Sequence, residues 1–287
     1  MDRKTFFQFT APSNLVMLAL MVFPLAIAVW FGLHYMTFSN IQHPEFIGLD
    51  NFTEILGDPK FWQAFLWTLE IIAITVPAQL VVGFLVALLL DQVTGRLRSL
   101  FLAALLLPMV VVPVVGTIVF KQLFEPSGLV AWFYRTVFSQ PFIFNELSMK
   151  VVILIHTTWL NTPFVLVIFF AGLQTLPPEL TEAAAIDGAG RLQQIRHIVI
   201  PHLQTLAVLT GLISVMDTFR LFDNVFVLTR QNPIFNADTI LTYNFRVAMA
   251  VQQLGRGNAV AILTVIAILI VLIPFLYYTY REQIEQA

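Results

Sequence analysis

The residues able to do chemistry are few and widely spaced. Among 287 residues there are 15 Lys and Arg, 17 Asp and Glu, five His and no Cys. Without cysteine, disulfides, thiolate metal sites and cysteine nucleophiles are excluded. A phosphate-binding loop needs Gly-Lys followed by Ser or Thr, so that backbone amides and an ammonium hold the phosphates. The lysines stand at positions 4, 60, 121 and 150, and none follows a glycine. His197 and His202 lack the spacing and the carboxylate companion of a zinc protease. Covalent catalysis is not what these residues are arranged for.

What remains is a set of polar groups embedded in apolar runs, where each ion costs roughly 2.5–3.5 kcal/mol at a helix centre. The run 203–228 holds Asp217, Arg220 and Asp223. On a continuous helix Thr210, Ser214, Asp217 and Asn224 share one face, with Arg220 at its edge. Two readings stay open. The stripe lines a water-filled cavity for a hydroxyl-rich solute, or Asp217 and Arg220 neutralise one another or meet a neighbouring subunit. A second group, His156, Trp159 and Asn161, surrounds Pro163. The missing proline amide leaves the carbonyl of Trp159 without its helical donor. Trp159 reads as a platform for a sugar ring or as helix packing, and His156 as packing.

Positioning such groups calls for helices in lipid. The chain is 58% hydrophobic and 11% charged, against about a quarter charged in a soluble domain. A net charge of −2 gives no reason to expect a nucleic-acid partner. Crossing the hydrocarbon core takes about 20 apolar residues. Six stretches meet that length: 15–35, 67–90, 99–120, 151–172, 203–228 and 259–280. Their continuous apolar character lacks the alternation of barrel strands. Prolines 24, 77, 108, 113, 163 and 274 fall inside them and predict kinks rather than breaks. The expectation is an all-α polytopic membrane protein, a single domain over 1–287. Both termini then share one side, and Arg3, Lys4, Arg96, Arg98 and Arg281, tight against spans, make that side cytoplasmic. Tyr277, Tyr278 and Tyr280 beside Arg281 read as an interfacial belt. In the last external connection, 238–251 reads as a short helix.

Between the fourth and fifth spans, residues 174–202 read as two short cytosolic helices. Pro177 and Pro178 suit a helix start, and Glu179 and Glu182 favour its dipole. Gly188 and Gly190 stop the first helix, and Asp187 is placed to cap the second. Pro201 suits the first turn of the fifth span. Ala183, Ala184 and Ala185 leave a patch with almost no side chain, suited to seating in a partner's groove.

Glu182-Ala183-Ala184, Asp187-Gly188-Ala189, Ile198 and Ile200-Pro201 together resemble the EAA loop of ABC importer permeases. Gly48-Leu49-Asp50-Asn51-Phe52 is similar to a signature of the first permease in maltose-type sugar and polyol importers. Val227-Leu228-Thr229-Arg230-Gln231-Asn232-Pro233 is similar to a second, with Gln231 and Asn232 where that family has glycines. The resemblance implies a type I importer fold with its core over 66–280. It also implies a bacterial inner-membrane location, a second permease, an ATPase dimer that binds ATP and magnesium, and an extracytoplasmic solute-binding protein. This chain itself would bind no cofactor and catalyse nothing. Glu182, Ala183, Ala184, Asp187, Gly188 and Ala189 would couple ATPase closure to the spans. Trp159, Asn161, Ser214, Asp217, Arg220 and Asn224 are the candidates for the solute path. The rival readings are an ion-coupled secondary transporter, in which Asp217 would be the coupling carboxylate, and a membrane-embedded enzyme.

Overall fold

Helices account for 79% of the backbone, because long apolar runs can satisfy their amides and carbonyls in lipid only within themselves. A computed structural model describes residues 3–285, with side chains for residues 9–274 and Tyr277. The side chains of Arg3, Lys4, Tyr278, Tyr280 and Arg281, which the sequence assigns to orientation and to the belt, lie outside the described residues. In chain order the elements are α1 (Arg3–Gly32), β1 (His34–Tyr35), β2 (Glu45–Phe46), α2 (Asp50–Gly57), α3 (Pro59–Asp91), α4 (Gly95–Val110), α5 (Pro113–Gln122) and α6 (Leu129–Phe138). They continue with α7 (Glu146–Leu173), α8 (Pro178–Ile186), α9 (Arg191–Gln194), α10 (Ile200–Phe219), α11 (Asp223–Thr229), α12 (Ile240–Phe245) and α13 (Leu254–Glu285). Five runs are long and apolar enough to cross a membrane: Phe9–Gly32, Pro59–Asp91, Glu146–Leu173, Arg191–Phe219 and Leu254–Pro274. The expected helix in the last connection is present as α12 and a π-helical turn, Arg246–Ala250.

Two of the expected spans are not single helices. The third is α4 and α5, bent by 98°. Pro113 opens α5, and its ring drives the residue before it out of the helical region. Val111 and Val112 are extended, with ψ of 135° and 126°. Pro108, in contrast, stays inside α4. The fifth expected span ends at Phe219 and resumes as α11 at Asp223. No proline or glycine marks that second break. The carbonyl of Leu221, freed there, is taken by the Thr239 hydroxyl at 2.8 Å. The compensation comes from a distant residue, which is why local sequence does not announce it.

The chain forms two compact units, residues 1–63 with 242–270 and residues 64–241 with 271–287. In the first, the Gly48–Phe52 signature has a structural role. Gly48 turns the chain at φ +62°. Asn51, only 3% exposed, donates its amide to the carbonyls of Gly32 and His34 at 2.8 and 2.9 Å. These lie at and just beyond the end of α1, so Asn51 caps carbonyls that otherwise lack donors. A Cβ on Gly255 would fall 2.2 Å from the His34 carbonyl oxygen, so this close approach requires glycine. An Arg256–Glu54 ion pair and a 2.6 Å bond from the Tyr243 hydroxyl to Asp58 add polar ties within the same unit. Burial first, and Asp58 second, raise the Tyr243 phenol above its ordinary range.

In the second unit α7 is the hub, packed on α4, α10 and α11. Lipid tails are as apolar as leucine, so close packing rather than water exclusion holds such helices together. Gly83 of α3 sits where a Cβ would lie 2.7 Å from a Val165 methyl of α7. A Cβ on Gly172 of α7 would lie 2.5 Å from Leu203 of α10. These glycines set how near the backbones come.

After α11 the chain turns through two successive left-handed residues, Arg230 (φ 50°) and Gln231 (φ 54°). The positions where relatives of the resembled family use glycine thus overlap a turn that still has positive φ. The Gln231 amide donates to Thr229 Oγ1 at 3.1 Å, and Asn232 caps the next turn at Ile234. Each non-glycine residue held there costs about 1 kcal/mol. Gln231→Gly should therefore stabilise the detergent-purified chain by about 1 kcal/mol, less a few tenths for the freer unfolded chain. A β-branched Gln231→Val should destabilise it, and thermal unfolding of both variants beside the parent is the check.

Candidate functional site

Residues 174–202 link α7 to α10 through α8 and α9. Pro177 precedes α8 and Pro178 opens it, as their fixed φ favours. The helix is closed by a Schellman motif. The Gly188 amide donates to Ala185 O at 3.1 Å, and the Ala189 amide to Ala184 O at 2.8 Å. Gly188 takes φ +80° to make this possible, and nothing lies within 4 Å of where its Cβ would be. Its requirement is conformational, not spatial. Asp187 is the C-cap of α8, not the cap of the second helix. That place belongs to Gly190, whose amide donates to Gln193 Oε1 at 2.8 Å. Gly190 therefore starts α9 and does not end α8.

The second expected helix is not separate either. Arg191–Phe219 is one span, in which α9 passes through a π-helical turn, Ile195–Val199, into α10. The Ile200 amide reaches back to Ile195 O. Pro201 follows at once, so the wide turn precedes the residue that cannot donate to its own helix. Glu182 and Ala183 are exposed, and Ala184 and Ala189 are half-buried. Large apolar side chains stand in solvent around them, with Ile186 87% and Leu192 79% exposed. Between the end of α8 and α9 lies a surface cavity of about 380 Å³, lined by Ala184, Gly188, Ala189, Gln193 and His197 among others. His202 ties the segment down, with Nε2 3.0 Å from Thr175 Oγ1 and 3.2 Å from Gly172 O.

A second polar group lies inside the helices, and the two breaks create it. They let α5 pack on α11. Thr117 Oγ1 of α5 is 2.7 Å from Pro113 O, 2.9 Å from Asn224 Oδ1 of α11 and 3.3 Å from His156 Nε2 of α7. All three side chains are buried. One hydroxyl proton serves one acceptor, and the Pro113 carbonyl can only accept, so all three contacts are hydrogen bonds only when the imidazole Nε2 and a flipped Asn224 amide both donate to Thr117. His156 Nδ1 and Thr157 Oγ1 are buried without a hydrogen-bond partner among the described residues. Both amide atoms of fully buried Gln79, on α3, are likewise unpartnered. Phe120 stacks on Trp159 at 5.8 Å, with His156 edge-on at 4.8 Å. Trp159, 41% exposed, also borders a cavity of about 570 Å³ between α3, α4 and α7, lined mainly by aliphatic side chains.

The expected stripe on the fifth span is divided. Thr210 and Ser214 are buried, Asp217 is exposed, and Asn224 belongs to the next helix. Arg220 is the exposed C-cap of α10. Its amide donates to Asp217 O at 3.1 Å, and no side-chain ion pair between the two is present among the described residues. Asn161 bonds the Thr157 carbonyl at 2.9 Å within its own helix. Sequence reasoning placed Trp159 and Asn224 among its candidates, read His156 as packing, and did not single out Thr117, Phe120 or Gln79. Thr117 sits in a run without charges, and only the Val112-Pro113 pair hinted at the bend that turns it inward.

The profile of the binding-protein-dependent transport system inner membrane component family matches residues 55–283. The arabinooligosaccharides transport system permease protein AraP of Bacillus subtilis is 32% identical over 92% of this chain and 84% of its own length. The trehalose transport system permease protein SugA of Mycobacterium tuberculosis is 28% identical over 91% of this chain and 84% of its own length. A crystal structure of a bacterial ABC transporter involved in import of the acidic polysaccharide alginate superposes with a TM-score of 0.82. The identity there is 19%, with 96% of this chain and 95% of that chain covered, so it speaks to fold. These findings favour neither an ion-coupled transporter nor an enzyme. The chain belongs to the family of binding-protein-dependent transport system inner-membrane components, as a membrane-spanning ABC permease subunit.

Proposed function

We propose that this permease imports a neutral sugar, oligosaccharide or polyol, working as one transmembrane domain with its core over 66–280. Its partners in this reading are a second permease, an ATPase dimer that binds ATP and magnesium, and an extracytoplasmic solute-binding protein. The observation that carries the reading is α8, a short helix closed at Gly188 and surrounded by exposed apolar side chains next to a cavity. Exposed apolar patches rimmed by polar groups are interaction surfaces. Glu182, Ala183, Ala184, Asp187, Gly188 and Ala189 form the coupling element that the ATPase seats on. Saccharide import is supported by what the relatives are named for transporting and by the buried hydroxyl, imidazole and amide groups beside an aromatic pair. Such groups exchange hydrogen bonds with a hydroxyl-rich solute without placing a net charge in its way.

Coupling is tested at Gly188, whose only demand is positive φ. Gly188→Ala costs about 1 kcal/mol of local geometry and Gly188→Val more, whereas Asn adopts the left-handed region readily. Uptake and copurification of the ATPase should therefore fall in the order Gly, Asn, Ala, Val. Equal function in all four variants would remove α8 from the coupling role.

The solute path is tested at Thr117, His156 and Asn224, with Trp159, Asn161, Ser214, Asp217 and Arg220 as its further candidate residues. Asn224→Leu removes a buried amide while preserving bulk, so the complex should assemble. Uptake of labelled trehalose, maltose and arabinotriose should drop by tenfold or more, the order expected when one or two polar contacts of about 1.5 kcal/mol are lost. Undiminished uptake of an established sugar substrate by Asn224→Leu and His156→Leu would exclude the cluster from the path.

Orientation follows from the same reading: bacterial inner membrane, with both termini and α8 in the cytoplasm. The chain has no cysteine, so single labels have no background within it. Ala183→Cys should be protected from an impermeant maleimide in intact cells and Gln140→Cys should react. The opposite pattern would invert the topology.

A further inference from the structure

At the α8 end of the second unit, α3 stops at Asp91 and α4 starts at Gly95, so two long helices are joined by residues 92–94 alone. Gly95 takes φ +66° to make the turn. Arg98, in the first turn of α4, reaches back and donates Nε to Val93 O at 2.6 Å and Nη2 to Asp91 O at 3.0 Å. This much is ordinary capping of the last carbonyls of α3. The same guanidinium does more, lying 5.5 Å over the Phe170 ring of α7 with Nη1 3.5 Å from Gln174 Oε1. Gln174 is the C-cap of α7 and the first residue on the way to α8. Its Nε2 donates to Asp91 Oδ1 at 2.7 Å. Gln174 thus uses both ends of its amide to hold the 92–94 turn from two sides. A planar fork that bonds and stacks in different directions is a property of Arg and not of Lys.

The groove beside these contacts, about 290 Å³, is lined by Asp91, Gln174, Pro178, Thr181, Arg191 and Gln194. It therefore runs from the turn to both α8 and α9. Asp91 and Arg98 are half-buried and Gln174 is exposed. Exposed polar contacts contribute little to stability, so the fold does not depend on Gln174. What its amide supplies is a fixed distance between the turn and the start of the coupling segment.

We propose that Asp91, Arg98 and Gln174 form a latch that makes the 92–94 turn move with α8, so that α3 and α4 receive the displacement directly. Without it, the chain would transmit motion only through α7 and α10. The latch rests on the reading of α8 as the ATPase-coupling element. Gln174 is a positioning residue, because it acts through the turn and not on solute or nucleotide.

The test uses the complete reconstituted transporter with cysteine-free partner subunits. Spin labels at Arg96→Cys and Glu179→Cys report the distance from turn to α8, and a second pair at Glu179→Cys and Gln122→Cys reports movement of α8 itself. ATP with vanadate should shift the second distance and leave the first unchanged. Gln174→Leu should assemble at parental yield yet allow the first distance to shift. Gln174→Glu sets a carboxylate against Asp91 and should behave likewise. Asp91→Asn combined with Gln174→Glu reverses the hydrogen bond, gives Arg98 a carboxylate partner and should restore the unchanged distance. The latch is overturned if the first distance shifts in the parent, stays fixed in Gln174→Leu, or is not restored in the double variant. Loss of assembled complex in Gln174→Leu would also overturn it, by making the residue structural. If ATP with vanadate leaves the second distance unmoved in the parent, the coupling reading of α8 fails first.

Discussion

A backbone group freed inside hydrocarbon has no water to turn to, and most of this structure follows from that constraint. Where a spanning helix is broken, the chain must supply donors and acceptors from its own side chains. The break at 111–112 is set by Pro113, and Thr117 then returns a hydroxyl to the Pro113 carbonyl. The break at 220–222 frees the Leu221 carbonyl, and Thr239 takes it. Near the end of α11, Lys121 Nζ lies 3.4 Å from the Val227 carbonyl, where a cation also suits the helix terminus. The two breaks within expected spans thus both border the packing of α5 on α11, and the polar cluster includes residues that make them tolerable.

The same accounting organises the segment 174–202. Its first helix ends because two amides bend back onto the Ala184 and Ala185 carbonyls, which only a left-handed residue at 188 allows. Its second helix does not end at all. The π-helical turn before Pro201 shifts the hydrogen-bond register by one residue, and α9 continues into the span. α8 is thus joined by the Gly188 turn to a helical run that continues without a break from Arg191 to Phe219.

How much of this was legible in the sequence depended on whether the cause was local. Although the third expected span is bent at 111–112 and the fifth is interrupted after Phe219, the positions of the other four were legible, because apolar length alone decides them. So were the start of α8 at Pro177-Pro178, the stop at Gly188, and the polar identity of His156 and Asn224. The break before Pro113 was legible in principle, since a residue preceding proline avoids the helical region. The wrong expectation came from treating the proline only as a missing donor. Asp187 was misassigned because either neighbouring helix offered it a terminus, and the Gly190–Gln193 bond took the second one first. The Thr117–Asn224 and Asp91–Gln174 contacts join residues far apart in sequence and leave no pattern to read.

The charges near the second break show how a feature that looks costly in sequence becomes reasonable in structure. On one continuous helix Asp217, Arg220 and Asp223 would have pressed three ions into the bilayer. The break redistributes them. Arg220 caps the carbonyl end of α10, and Asp223 stands in the first turn of α11. Those two charges each meet the helix terminus of opposite partial charge, whereas Asp217, in the last turn of α10, does not. All three side chains remain exposed on this chain. An ion facing lipid at a helix centre would cost roughly 2.5–3.5 kcal/mol, so exposed charges at this break fit water or protein around them rather than lipid tails. The charges and the break are therefore mutually dependent: the termini make the ions tolerable, and a surface that admits ions makes an interrupted helix tolerable.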